Sequence, residues 1–288
     1  MYKRLTLALI CVIGLCAGTA QAEPQLVFSG SVSVSGSGGL SALDLEADGQ
    51  SGIALSDRGD LFAIRLERMD GVLVDSALEP WTSRSSIDGD IEGVAYNGDG
   101  PHFFSLEAPA GVIKIEEDGQ ITKLPAHADF VDMIFNRELE ALAIDKSGTI
   151  CTLPEKPSLW PNQIPLYVFE NGVWQIAAHI PMRGFFMPVG ADFGTDNLLY
   201  LLERSVSPLG FRTRVRRFDL SQIHLIEEIL LTTGQLSHDN REGISVWTDQ
   251  KGATRVTMIS DDNFLPILSR EVVEYILHEW LARRPDTV

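Results

Sequence analysis

Acidic side chains recur along most of this sequence at intervals of about fifty residues. One acid stands at the start of an apolar run and another at the end of the next run. The first set comprises Glu92, Glu140, Asp192 and Glu242, and the second comprises Asp57, Glu107, Glu155, Glu203 and Asp261. Carboxylates that converge on one place repel each other and raise each other's pKa unless a cation lies among them. The pattern therefore predicts a cation site.

Ca²⁺ is the cation that this chemistry favours, because it accepts about six to eight oxygen ligands from carboxylates, carbonyls and water. We predict that the Ca²⁺ is held by Glu92, Glu140, Glu242 and Asp261. The alternative for each single acid is a turn residue at a strand end, which faces water or caps the backbone. The recurrence of the whole set favours the metal site.

Arginines stand next to several of these acids in the chain. They are Arg58, Arg204 and Arg241. The guanidinium fork binds phosphate or carboxylate through two parallel hydrogen bonds, so we predict that these arginines hold an anionic ester. Asp57 or Glu203 would then act as general base. The alternative is that each arginine pairs with the neighbouring acids.

The elements that must position these residues are short apolar runs, rich in Val, Ile, Leu, Phe and Tyr and separated by Gly, Asp and Asn. Such runs are typical of strands joined by tight turns. The repeat predicts an all-β fold, a single β-propeller of four-stranded blades, five in number, with six as the alternative. The run from Gln25 to Val34 is predicted to close the ring beside the strand from Val272 to Leu277.

All the acids are expected on one face of this propeller. Neighbouring strands in a blade are antiparallel, so the start of the first strand and the end of the second lie at the same end of the sheet. Two longer connections are predicted to form the rim of that face. They run from Pro154 to Pro165, including Trp160, and from Ser205 to Arg212.

Residues 1–22 have the pattern of a cleaved secretory signal peptide, with a basic start at Lys3 and Arg4, a short apolar segment and an Ala-Gln-Ala end. The mature domain would span residues 23–288 and be periplasmic or secreted, without membrane attachment. Its only cysteine is Cys151, which excludes an intrachain disulfide and is predicted to be a buried, unreactive thiol.

The charge of the chain argues against some partners. The formal net charge is −17, and loss of Lys3 and Arg4 with the signal peptide makes it −19. Such a surface repels nucleic acid and anionic lipid. A cation and a small molecule bound beside it remain compatible, and we expect a monomer.

Several motifs occur in the order found in a family of exported bacterial proteins. They are Gly39 to Leu43 followed by Ile53 to Arg58, Ile91 to Ala95, Leu139 to Ala143, Leu199 to Arg204, and Glu242 to Ile244 with Ser260 to Phe264. With these motifs the mature chain resembles the esterase-like-activity-of-phytase family over nearly its whole length. The resemblance implies a β-propeller and suggests hydrolysis of phosphate or other esters.

The leading hypothesis is an exported hydrolase of a phosphate ester or another ester, in which Ca²⁺ polarises the substrate. One alternative is a non-catalytic periplasmic binding or scaffold propeller whose metal is structural. Another is a lactonase-like hydrolase, by analogy with other acid-lined propellers.

Overall fold

A computed structural model gives the positions of residues 23–81, 90–96, 98, 100–116, 118–133, 138–156, 162–235, 240–265 and 267–279. Within these ranges the chain forms strands, apart from a short 3₁₀ helix, Ala128–Asp132. No helix in this part of the chain is long and apolar enough to cross a bilayer.

The strands follow each other in groups of four. Strand β1 (Gln25–Ser33) comes first. Blade 1 has β2 (Leu40–Leu45), β3 (Ser51–Ser56), β4 (Leu61–Met69) and β5 (Val72–Pro80). Blade 2 has β6 (Ile91–Tyr96), β7 (His102–Leu106), β8 (Gly111–Ile115) and β9 (Ile121–Lys123). Blade 3 has β10 (Leu139–Ile144), β11 (Ile150–Pro154), β12 (Gln163–Glu170) and β13 (Val173–Pro181). Blade 4 has β14 (Met187–Phe193), β15 (Leu199–Ser207), β16 (Gly210–Asp219) and β17 (Ile226–Thr232). Blade 5 has β18 (Arg241–Thr248), β19 (Thr254–Ser260) and β20 (Glu271–His278).

These strands form five antiparallel four-stranded sheets arranged in a ring, so the predicted five-bladed propeller is confirmed. The first strand of each group is innermost. Strand β1 completes blade 5 as its outermost strand, with Gln25 opposite His278 and Ser33 opposite Glu271. The predicted closure by the N-terminal run is therefore also confirmed.

The hydrophobic core is divided into five clusters, each packed between two adjacent blades. Strands near the channel are buried on both faces, and every residue of β7 is buried. Outer strands such as β5 alternate and expose one face. Cys151 is free and 2% exposed, and burial raises the pKa of its thiol to about 12, as expected for an unreactive cysteine.

The innermost strands approach each other closely around the channel. A Cβ added at Gly93 would lie 2.6 Å from the carbonyl oxygen of Glu140, and one at Gly243 would lie 2.6 Å from the amide nitrogen of Leu43. Only glycine permits this approach of one backbone to another. The acids beside these glycines are therefore brought together on a narrow ring.

A β-bulge lies at the same place in every inner strand pair. The bulged residues are Ser41, Glu92, Glu140, Val189 and Glu242. The sequence repeat had put Asp192 in this set, which is wrong, because Val189 takes that place in blade 4. Asp192 lies three residues further along and accepts a hydrogen bond of 2.5 Å from the backbone N–H of Val246.

The predicted long connection from Ser205 to Arg212 is also wrong. Strands β15 and β16 continue through it as a hairpin, with Ser207 paired to Gly210 and Pro208 and Leu209 in the turn. The hairpin extends the blade beyond the acidic face. In the other connection, β11 ends at Pro154 and β12 begins at Gln163, and residues 157–161, with Trp160, lie outside the described residues.

Candidate metal centre

The acids that follow the second strands are fixed beside the inner strands by a recurring backbone hydrogen bond. The N–H of the acid donates to the carbonyl of the residue two positions before the bulge. The pairs are Asp57 to Gly39 at 2.9 Å, Glu107 to Asp90 at 2.9 Å, Glu155 to Glu138 at 2.9 Å and Asp261 to Asn240 at 2.8 Å. Four blades thus place an acid beside the channel in the same way.

Blade 4 departs from this arrangement. Its register pairs Pro188 with Glu203 and Met187 with Arg204, so Arg204, not Glu203, takes the position of the acids in the other blades. Successive side chains on a strand point to opposite faces, so a difference of one residue reverses their direction. Blade 4 therefore contributes Arg204 to the ring where the other four blades have a carboxylate, and Val189 where blades 2, 3 and 5 have a glutamate and blade 1 has Ser41.

Blade 2 holds the densest group of acids. Asp90, Glu92 and Glu107 each offer a carboxylate oxygen, and these three oxygens lie within 4.8 Å of one another. Glu107 is only 4% exposed. None of the three forms an ion pair with an arginine or lysine among the described residues. We call these three residues the acidic cluster.

The electrostatics of the acidic cluster are unfavourable without a cation. Burial raises the pKa of Glu92 to about 10, and the charges of Glu140 and Glu107 add to the effect. Burial also raises the pKa of Glu107 to about 7, with Asp90 contributing. Asp57 from blade 1 has its pKa raised to about 6 by burial and by the charge of Asp261. A divalent cation would relieve this repulsion.

The opposite side of the ring carries its own cation. Arg204 donates through Nη1 to Glu242 and to Asn240 Oδ1 at 3.0 Å, and through Nη2 to Glu155 Oε1 at 3.2 Å. Glu140 lies between the acidic cluster and the ion pairs of Arg204. Burial raises the pKa of Glu140 to about 8, although the charge of Arg204 opposes the shift. One acid of blade 3, Glu155, and one of blade 5, Glu242, are thus paired with an arginine of the protein itself.

The structure divides the predicted metal ligands into two groups, Glu92 with Glu140 and Glu242 with Asp261. Glu92 lies in the acidic cluster and Glu140 borders it, whereas Glu242 is bound to Arg204. Asp261 accepts hydrogen bonds from the Asn263 N–H at 2.7 Å and from Asn240 Nδ2 at 3.3 Å. Of the four residues, only Glu92 belongs to the group whose oxygens converge.

Two of the predicted functional residues lie inside blades. Glu203 is fully buried and binds Arg214 Nε at 2.5 Å and Arg216 Nε at 2.9 Å. Arg241 is 1% exposed and binds the side chain of Glu271. Both form ion pairs within the protein.

Arg58 lies on the open face beside Asp57. Its guanidinium carbon stands 3.6 Å above the centre of the Phe264 ring, and both side chains are exposed. Among the predicted substrate-binding arginines it is the one whose charge is directed to solvent next to the acidic cluster.

The sequence reasoning missed Asp90 and did not include Glu107 among the metal ligands. The signal that could have identified Asp90 is the pattern Asp-x-Glu at the start of β6, because residues two apart on a strand lie on the same side. Asp90 and Glu92 lie close to Glu107 because β6 pairs with β7, which places Ile91 opposite Leu106.

Several known structures are similar to this one. An aldose sugar dehydrogenase from Streptomyces coelicolor in its PQQ-bound form matches with a TM-score of 0.51 at 10% identity, covering 89% of this chain and 99% of that chain. A gluconolactonase from Xanthomonas campestris matches with a TM-score of 0.46 at 13% identity, covering 81% and 71%. The calcium-binding protein regucalcin from Agrobacterium tumefaciens matches with a TM-score of 0.45 at 11% identity, covering 83% and 76%. Likeness at such identities concerns the fold alone.

The sequence itself gives a more specific relationship. No curated protein matches it. A family model for phytase-like proteins, described as esterase-like activity of phytase, matches residues 35–264, which is most of the chain and includes the acidic cluster. The resemblance seen in the ordered motifs is thereby confirmed, and the chain belongs to the phytase-like family.

Proposed function

We propose that this protein is an exported hydrolase that cleaves a phosphate ester or another anionic ester at the acidic end of its channel. The proposal rests on one observation above all, the convergence of three carboxylate oxygens from Asp90, Glu92 and Glu107 within 4.8 Å. The family description supports an ester as the bond that is cleaved. The signal-like residues 1–22 support action in the periplasm or outside the cell.

The acidic cluster suits a hard divalent cation, and we propose Ca²⁺. Carboxylate oxygens are the ligands that Ca²⁺ prefers. The neighbouring Asp57 Oδ1 is buried and lacks a hydrogen-bond partner among the described residues, so it is a further oxygen available to a cation or its water. Bound Ca²⁺ would supply positive charge that polarises the ester and offsets the negative charge of the transition state.

The residues around the cluster have distinct roles in this proposal. Asp57 accepts the proton of the attacking water; in the metal-free protein, burial and the charge of Asp261 raise its pKa and make it a stronger base than an exposed aspartate. Arg58 binds the anionic group of the substrate through its exposed guanidinium. Arg204 keeps Glu242 and Glu155 paired, so the cation is confined to blade 2.

The test is hydrolysis of p-nitrophenyl phosphate and p-nitrophenyl acetate by the mature protein, before and after chelation and with Ca²⁺ restored. The variant Glu92→Gln/Glu107→Gln should lose at least about a hundredfold in kcat/KM and no longer respond to Ca²⁺. The matched control is Glu67→Gln/Glu79→Gln, which removes two exposed acids from the outer part of blade 1.

Two results would contradict the proposal. Equal activity of the cluster variant and its control would place the chemistry elsewhere. Stabilisation by Ca²⁺ without hydrolysis of any ester or lactone tested would favour the non-catalytic binding propeller with a structural metal.

A further inference from the structure

We infer that the same face carries a second binding site, for a small oxyanion, between blades 3 and 4. It is formed by Arg212 and Arg214 of β16 and by Phe186, which precedes β14. We call these three residues the arginine site. It is separate from the acidic cluster of blade 2 and does not depend on the proposed hydrolysis.

The first argument is an excess of positive charge. Arg183, Arg212, Arg214 and Arg216 lie along this blade interface, and their carboxylate partners are Glu203 and Glu227. Four cations thus share two anions among the described residues. In a chain with a formal net charge of −17, such a local excess requires an explanation beyond internal pairing.

The second argument is the presence of unused hydrogen-bond donors. Arg214 is 5% exposed; its Nε binds Glu203 and its Nη1 binds the carbonyl of Arg183 at 2.9 Å, but its Nη2 is buried without a partner in the described part of the chain. Arg212 donates from Nε to the carbonyl of Thr233 at 3.2 Å, and its two terminal nitrogens have no protein acceptor among the described residues. A buried unpaired donor costs stability.

The third argument is the geometry around Phe186. The guanidinium carbon of Arg214 lies 4.2 Å from the centre of the Phe186 ring, and that of Arg212 lies 5.3 Å from it. Arg212 and Arg214 are two residues apart on β16 and approach the same ring, and their like charges repel each other. An anion bound by both would remove the repulsion and satisfy the open donors in one step.

The elements explain how the site is accessible. The segment from Met182 to Phe186 joins the end of β13 to the start of β14, and the β15–β16 hairpin extends past the blade on the same face. Arg212 stands at the base of this hairpin and is partly exposed. A ligand can therefore reach Arg212 from solvent, while Arg214 and Phe186 lie buried behind it.

The ligand class follows from the donors. Guanidinium forks bind planar or tetrahedral oxyanions, so the group recognised is a phosphate or a carboxylate. It can come from a free anion or from a larger molecule that carries the same group. Inorganic phosphate tests the first source and glycerol 1-phosphate the second.

The experiment is calorimetric titration of the mature protein with each probe at constant ionic strength and without added Ca²⁺. Phosphate should bind the unchanged protein, and Arg212→Gln should weaken binding at least tenfold. Arg212→Lys, which keeps the charge but loses the fork, should also weaken it. The matched control is Arg65→Gln, which removes an exposed arginine from β4 of blade 1 and should bind phosphate unchanged.

Circular dichroism would establish that each variant is folded before titration. Binding by only one of the two probes would still support the site, and would show whether it takes a free anion or a larger molecule that carries the same group. The inference is overturned if neither probe binds the unchanged protein, or if Arg212→Gln and Arg65→Gln bind with the same affinity.

Discussion

Arg204 determines how much of the acidic ring is free to bind a cation. It takes the position that Asp57, Glu107, Glu155 and Asp261 take in the other blades, and it binds Glu155 and Glu242 of the two neighbouring blades. One fixed guanidinium thus pairs with one acid of blade 3 and one acid of blade 5. The three acids of the acidic cluster have no such partner among the described residues and could hold a metal ion.

Arg204→Gln tests this role. The change leaves Glu242 and Glu155 without their cation, and breaking such mostly buried pairs should lower the free energy of unfolding by about 3 kcal/mol. The freed carboxylates should then attract Ca²⁺, so the stabilisation by Ca²⁺ in urea unfolding should exceed that of the unchanged protein. Arg65→Gln is the control, and equal responses to Ca²⁺ in both variants would refute the role.

Asp57 and Glu203 were equivalent candidates for the general base at the sequence level, but their surroundings differ. Asp57→Asn should lower kcat by about a hundredfold or more with little loss of stability. Glu203→Gln should leave the buried Arg214 and Arg216 incompletely paired and lower stability by about 3 to 5 kcal/mol, while kcat of the folded protein stays within about twofold. A large loss of kcat in Glu203→Gln, together with little loss in Asp57→Asn, would make Glu203 the general base. Ester hydrolysis and urea unfolding measure the two effects.

At the level of elements, the strands and blades followed from the sequence, but the register of blade 4 did not. Apolar runs separated by turn residues were sufficient to predict five blades and the closing strand. Arg204 takes this position instead of Glu203 because of a bulge at Val189 and the pairing between β14 and β15. The alternation of side chains along a strand does not show whether that pairing is shifted by one residue. The acidic cluster was partly missed for the same reason.

The closing blade should depend on a buried ion pair network. Glu274 of β20 is fully buried and binds Arg255 of β19 at 2.6 Å and Arg68 of β4 at 2.5 Å. Glu274→Ala leaves both arginines without their shared anion and should lower the free energy of unfolding by about 3 to 5 kcal/mol. Glu228→Ala removes an acid that is 35% exposed and paired with Arg217, and should cost under about 1 kcal/mol. Similar midpoints for the two variants in urea would contradict a structural role for the network.

Across the whole molecule, the open face is divided by charge. Blades 1 and 2 carry Asp57 and the acidic cluster, whereas blade 4 carries the partly exposed Arg212 and the buried Arg214 beside Phe186. Arg204 lies between the two regions. A ligand with a cation-binding end and a separate oxyanion could span this face, and a small monoanion could occupy either half alone.

The charge of the face also predicts how stability depends on pH. The pKa values of Asp57, Glu107 and Glu140 are raised by burial to about 6, 7 and 8, from 3.8 for Asp57 and 4.5 for the glutamates. At a pH between the ordinary and the raised pKa of each group, the folded protein binds more protons than the unfolded chain. The metal-free protein should therefore lose stability as the pH rises from about 4 to 8. The proposed Ca²⁺ would bind the ionised carboxylates, so its stabilising effect should be larger at pH 8 than at pH 5. Thermal unfolding with and without Ca²⁺ measures both trends. The loss of stability with rising pH should be smaller in Glu92→Gln/Glu107→Gln than in the Glu67→Gln/Glu79→Gln control. Equal losses in the two variants would show that Glu92 and Glu107 do not cause the pH dependence.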